Sequence, residues 1–174
     1  MIPADPTTAV LAYAALYTGH HIGDYLLQSD HQALTKGRCG HAGRMACTRH
    51  VLVLTVAQAL ALVLVLGATG TAVSPWAVPA GLAINAVTHW WADRRATLRG
   101  LVLATEPMTH KTTYYDNGGA ERMDQAWHVA WMIPAALAIA APAPLALAVA
   151  AASAVVLAAA GAASRRALAA EAPA

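Results

Sequence analysis

Val51-Leu52-Val53-Leu54-Thr55-Val56-Ala57-Gln58-Ala59-Leu60-Ala61-Leu62-Val63-Leu64-Val65-Leu66 is an apolar run broken only by Thr55 and Gln58 and free of ionisable side chains. With Arg49 and His50 at its head, it approaches the ~20 residues that a helix needs to cross roughly 30 Å of hydrocarbon. Thr7–Gln28, Pro75–Ala92, Gln125–Ala141 and Pro144–Ala163 come close to the same requirement. The expected architecture is therefore all-α: a single integral membrane domain over residues 1–174, a polytopic bundle of about five transmembrane helices with spans near 7–28, 49–66, 75–92, 125–141 and 144–163. Only Pro142, Ala143 and Pro144 separate the last two spans. Such a sequence suits a tight turn between antiparallel helices, the alternative being one bent helix. Ser29 to Thr48 and Asp93 to Met123 are polar, contain glycines and read as two long loops.

The composition agrees. Of the 174 residues 58% are hydrophobic and 11% charged, against about 25% charged in an ordinary soluble domain. Mean hydropathy is only +0.48 because much of the apolar content is alanine. Charge distribution carries more than the average: residues 51–92 and 126–164 hold no Lys, Arg, Asp or Glu, whereas a soluble helical bundle would place them along every helix to make a wet face. Lys36, Arg38, Arg44 and Arg49 cluster about the first long loop; Arg94, Arg95, Arg99, Lys111 and Arg122 about the second; Arg165 and Arg166 follow the last span. The N-terminus, residues 67–74 and the Pro142 turn have no basic residue. The positive-inside rule then puts the N-terminus outside and the C-terminus in the cytoplasm of a multi-pass cell-membrane protein. Met1 to Pro6 contains Asp5 and no basic residue, so a cleavable signal peptide is not expected. The net charge of +2 and the lack of a recognition motif exclude nucleic acid as an expected partner; the partner is the bilayer. Trp76 at one end of the third span, and Trp90, Trp91, Trp127 and Trp131 toward the other side, fit interfacial belts, although Trp127 and Trp131 suit a core equally well.

Polar residues inside the spans point to chemistry. His20 and Asp24 share a helix face at i, i+4, with Gln28 one turn on and His21 able to replace His20. His89 and Asp93 repeat the spacing. Asp124 and His128 show it in reverse, as an antiparallel helix must if matching residues are to lie level. His50 heads the second span. All of these positions are expected at one depth, at the cytoplasmic ends of four helices. Imidazole and carboxylate groups are ligands for zinc, manganese or iron, and bundles build metal sites from such pairs on facing helices. Ionisable groups in a span are costly enough to imply a role. The expected metal ligands are His20, Asp24, His50, His89, Asp93, Asp124 and His128, enough for two ions or for one ion with carboxylates orienting histidines. A divalent metal, zinc among the candidates, would leave Asp24 or Asp124 as catalytic general base toward water. The alternative is a hydrogen-bonded network that only holds helices together. Cys39, His41, Cys47 and His50 form C-x-H-x5-C-x2-H, which has zinc-ligand types in an unusual spacing; otherwise these are free thiols in a loop. His110 to Gly119, with Tyr114, Tyr115 and two glycines, reads as a lid or a simple connection.

In order along the chain, His20-His21-Ile22-Gly23-Asp24-Tyr25-Leu26-Leu27-Gln28, His50, His89-Trp90-Trp91-Ala92-Asp93 and Asp124-Gln125-Ala126-Trp127-His128 resemble the bacterial polytopic membrane proteins of domain-of-unknown-function family 3307, over roughly Leu11 to Trp131. More distantly, the chain is similar to membrane-bound metal-dependent hydrolases. The doubled His20-His21 and the long stretch before Asp124 depart from the pattern, and the Ala-rich last span lies outside it. The resemblance implies a membrane protein in which these polar positions matter, and names no reaction. The expected function is a metal-dependent hydrolase acting at the cytoplasmic face on a lipid-like substrate. The alternatives are a non-enzymatic metal sensor or accessory subunit, or a transporter, for which polar residues should continue into the outer half.

Overall fold

The computed structural model describes residues 3–171, and among them every regular element is helical. Helix α1 (Pro6–His21) widens at its end into a π-helical segment, Ile22–Leu27; α2 (Asp30–Thr35), α3 (Gly40–Ala68), α4 (Ala77–Asp93) and α5 (Ala96–Thr109) follow. The short α6 (Thr112–Tyr114) leads into Tyr115–Gly119, where the backbone kinks at Asn117 and at Gly118 (φ 99°), before α7 (Ala120–Ala140) and α8 (Ala143–Glu171). Asp5 caps α1 by accepting a hydrogen bond from the Thr8 amide at 2.7 Å, and Pro6 occupies the first turn, where its missing N–H costs nothing.

The two polar stretches expected as loops are largely helical. Ser29 and Gln32 form a reciprocal capping box that starts α2, and α3 begins at Gly40, well before Arg49. In the second stretch, Leu98 and Val102 of α5 bury against Tyr115 to make a small core of their own. A local capping box in the first stretch and a packing partner distant in the chain in the second turned them into structure. The last two expected spans are separate helices: Ala141 is extended (φ −96°, ψ 150°), and the Pro142 carbonyl accepts from the Leu145 and Ala146 amides to start α8.

Helices α1, α3, α4 and α7 form the central bundle. The Asp5 amide donates to the Ala140 carbonyl at 3.0 Å, placing the start of α1 beside the end of α7, so the two run antiparallel. Gly19 faces Gln58, and Gly23 faces Leu54; Gly81 of α4 faces Ala135 and Ile139 of α7. Leu16, Leu62, Leu66, Met132 and Ile139 fill one half of the bundle. Trp91 and Trp127 stack with ring centroids 4.7 Å apart, and Trp131 continues the ladder at 5.6 Å, so Trp127 and Trp131 pack on the core. Trp76 stands 80% exposed.

Helix α8 carries α5 across its far end, where Ser164 Oγ donates to the Thr97 carbonyl at 2.7 Å. Arg99 bonds Glu171 and Asp116 there, and its hydrogen bond to Glu171 holds that carboxyl below the usual glutamate range. This exposed tether is present at neutral pH and weakens as pH falls through the Glu171 titration. Two helices, α3 and α8, each 29 residues, are long and apolar enough to cross a membrane. Val56, Leu60, Val63 and Leu64 of α3 and Leu147 and Val155 of α8 are exposed.

A Cβ at Gly19 would come within 2.5 Å of Gln58 Cα, backbone that cannot give way locally, whereas one at Gly67 would meet nothing within 4 Å. Gly19→Ala should lower stability in detergent by about 1–3 kcal/mol. Gly67→Ala should be neutral or stabilising by up to about 1 kcal/mol; thermal unfolding followed by circular dichroism compares the two.

Candidate metal centre

Antiparallel packing inverts the order of matching residues from one helix to the next, and so brings the expected ligands together. His20 ends α1, His50 lies in the first half of α3, His89 and Asp93 end α4, and Asp124 and His128 lie in the first turns of α7. Asp24 is in the π-helical segment that continues α1, whose wider turn re-aims its carboxylate. His20, His50, His89, Asp93 and His128 are each at most 1% exposed.

The Nε2 atoms of the histidines converge with the carboxylates. Nε2 of His50 lies 3.2 Å from Nε2 of His89, and each lies 3.3 Å from Oδ2 of Asp93. A tetrahedral ion with bonds of about 2.0–2.1 Å holds its ligand atoms roughly 3.3–3.4 Å apart, so this triangle has the dimensions of one face of such a shell. Oδ1 of Asp24 closes a second triangle on the same histidine pair, 3.0 Å from His50 and 3.5 Å from His89. His20 Nε2 lies 3.4 Å from Oδ2 of Asp24. On the opposite side, His128 Nε2 lies 3.2 Å from Oδ2 of Asp124 and 3.7 Å from Oδ1 of Asp93, its ring stacked on His89 at 3.7 Å. Three overlapping groups could hold a metal ion: His20, Asp24 and His89; His50, His89 and Asp93; Asp93, Asp124 and His128.

Not every close approach here is an aligned hydrogen bond. Oδ1 of Asp24, both carboxylate oxygens of Asp93 and Nε2 of His128 are buried without an aligned hydrogen-bond partner, and so is Nδ1 of all four histidines. Buried polar atoms are normally paired. Of these atoms, the carboxylate oxygens of Asp24 and Asp93 and Nε2 of His128 face into the cluster, where a cation would satisfy them.

Two contributors are not evident from spacing. Gln125 accepts a hydrogen bond from His20 Nε2 through its Oε1 at 3.0 Å, and its amide nitrogen donates to Oδ2 of Asp24 at 2.9 Å. Because Oε1 only accepts, the His20 tautomer that makes this bond carries its proton on Nε2. Lys36, just after α2, is 7% exposed and places Nζ 2.7 Å from Oδ1 of Asp93. The Ser29-x-x-Gln32 capping signature, by marking a helix in the presumed loop, was the signal that could have led to Lys36.

Of the doubled histidines, His20 enters the cluster; His21 Nδ1 bonds the Tyr17 carbonyl and its ring lies against Tyr17. The C-x-H-x5-C-x2-H residues are not brought together: Cys39 and His41 are exposed, Cys47 Sγ faces the Trp90 carbonyl at 3.7 Å, and His50 belongs to the cluster. A cavity of about 450 Å³ borders the cluster, with Asp24, Lys36, Asp93, Asp124 and Gln125 on its wall. Tyr115 and Gly118, from the stretch read as a lid or connection, line it too.

No family model, curated protein or solved structure matches this chain.

Zinc added to metal-free protein should raise the unfolding temperature, corresponding to about 2.7 kcal/mol at a free concentration 100 times Kd. His50→Ala and His89→Ala should abolish the effect, and His21→Ala should leave it; differential scanning fluorimetry in detergent reads all three.

Proposed function

We propose that the protein is a membrane-embedded, metal-dependent hydrolase that acts at the cytoplasmic face on a lipid-like substrate. The observation that carries this reading is the donor-poor set of imidazole and carboxylate atoms meeting the wall of an open cavity at Asp24, Asp93 and Asp124. His50, His89 and Asp93 would supply three protein ligands and leave a position free, the arrangement of catalytic rather than structural zinc sites. When bound, a divalent ion would polarise the scissile bond and activate water at neutral pH. Asp24, bonded by Gln125, and Asp124 line the cavity, and in this reading one of them would accept a proton from the attacking water.

A lipid-like substrate is supported by the rim. Tyr25 lines the cavity, and Leu26, Leu27 and Leu34 beside it are at least half exposed. An acyl chain could lie on that lip while the polar bond reaches the cluster. Five spans with the N-terminus outside are supported by the lysine and arginine distribution and by the bare apolar surfaces of α3 and α8. A transporter is disfavoured by what lies beyond the cluster: Gln58 donates to the Leu16 carbonyl at 3.0 Å and accepts from Asn85 at 2.8 Å, so these amides satisfy each other, and Leu62, Leu66 and Ile139 close the bundle past them.

Asp24→Asn should keep the fold and a bound metal but reduce hydrolysis at least 100-fold in a screen of ester and phosphoester amphipaths; an equal loss of metal would instead assign Asp24 to ligation. In intact inverted vesicles, exposed Cys39 should react with an impermeant maleimide, while a cysteine introduced at Ser74 in a Cys39→Ser background should react only in right-side-out vesicles. The opposite pattern would overturn the orientation.

A further inference from the structure

We propose that Arg95 forms a phosphate-recognising subsite in the mouth of the cavity, so that the substrate brought to the cluster is a phosphoester borne on an amphipath. The inference rests on the hydrolase reading above and deepens it by naming the group that is bound.

Arg95 lines the same cavity as Asp24, Asp93 and Asp124, and it is exposed where the histidines of the cluster are buried. Lys36, the other cation on the wall, is paired with Oδ1 of Asp93 at 2.7 Å. Among the described residues Arg95 forms no ion pair, and its guanidinium makes one hydrogen bond, from Nη2 to the Ala33 carbonyl at 3.0 Å. Its other N–H groups are open to a ligand, and the planar fork of an arginine matches the oxygens of a phosphate.

The backbone under this side chain is strained. Arg95 has φ 54° and ψ −54°, and the Ala96 amide donates across it to the Arg94 carbonyl, a γ-turn of the rare kind that glycine adopts at least cost. Such strain persists where surrounding contacts over-determine it, and it gathers at ligand sites. Those contacts are present. Tyr115, also on the cavity wall, donates its hydroxyl to the Arg95 carbonyl at 3.4 Å. Arg94 donates through its guanidinium to the carbonyls of Lys36 and Arg38. A Cβ on Gly37 would lie 2.6 Å from Arg95 Cδ, so the bare glycine leaves room for the arginine stem.

The class of substrate follows from charge. Asp24, Asp93, Asp124 and Glu121 share the wall with Lys36 and Arg95, leaving two negative charges, which one divalent ion in the cluster would cancel. Anion binding at Arg95 is therefore expected to need the metal. A carboxylic ester is neutral until it is cleaved and gives a standing guanidinium nothing to hold. A phosphate mono- or diester is anionic throughout, and a metal ion with an arginine is a recurring clamp on phosphoryl oxygens.

Isothermal titration calorimetry tests this on the full chain, zinc-loaded in dodecyl maltoside, a detergent without phosphate, with dodecylphosphonate as the probe beside dodecanoate and inorganic phosphate. Arg95→Gln and Arg95→Gly should each weaken dodecylphosphonate binding at least about 10-fold. Arg95→Lys should recover part of that loss, and zinc per chain by elemental analysis should not change in any of the three. Glycine suits the turn, so Arg95→Gly decides the matter if Arg95→Gln fails to fold. Removing zinc from wild type should weaken the probe as well. Wild-type affinity in a folded, zinc-bound Arg95→Gly would overturn the proposal and leave the metal reading standing, as would dodecanoate bound as tightly as dodecylphosphonate. Inorganic phosphate bound as tightly as the probe would make free phosphate the ligand and overturn the amphipath. A wild type that holds no zinc removes the metal reading and this inference with it.

Discussion

His20, His50, His89, Asp93 and His128 are withdrawn from water at one level of the bundle, and a carboxylate or imidazole buried there is tolerable only if its partners are buried at the same level. That requirement fixes the register of α1, α3, α4 and α7 against one another. A slip of one helical turn, about 5.4 Å, would bring Asp93 against apolar side chains and strand its charge. Contacts of 3.0–3.5 Å between side chains from several helices also need backbones that approach closely. Gly19 and Gly81 permit that approach at the crossings of α1 with α3 and of α4 with α7.

The layers of the bundle follow from that level. On one side Gln58 and Asn85 satisfy each other and the Leu16 carbonyl, and beyond them the core is hydrocarbon. On the other side lies the cavity, bounded by the π-helical segment bearing Asp24, by the end of α2 and by Tyr115. The Arg94 clamp on the backbone at Lys36 and Arg38, and the Arg95 bond to the Ala33 carbonyl at 3.0 Å, tie this polar cap to the end of α4. Arginine serves this purpose because its planar fork can reach several carbonyls while its charge stays in or near water.

Apolar periodicity and spacing carried much of this arrangement. The helices in the expected spans follow from runs too long and too poor in charge for any other element, and the pairs His20/Asp24, His89/Asp93 and Asp124/His128 follow from the i, i+4 rule with its antiparallel inversion. What spacing could not supply was Lys36 and Gln125. A lone lysine in a polar stretch reads as a solvated charge or an orientation signal, and nothing local reveals that its backbone is clamped from α4. Helix α5 was obscured for a similar reason: Leu98 and Val102 bury against Tyr115, a partner well along the chain.

The sequence by itself determined that the chain is all-helical, which stretches are apolar enough to be buried or to meet lipid, and which ionisable residues share a helix face. These depend on neighbours within a few positions, where helical geometry fixes who meets whom. Only the tertiary structure decided that His20 rather than His21 enters the cluster, that Cys39 and Cys47 stand apart, and that one oxygen of Asp93 faces imidazoles while the other faces an ammonium. Those outcomes depend on helix rotation and on contacts between segments far apart in the chain, which packing sets and local sequence does not.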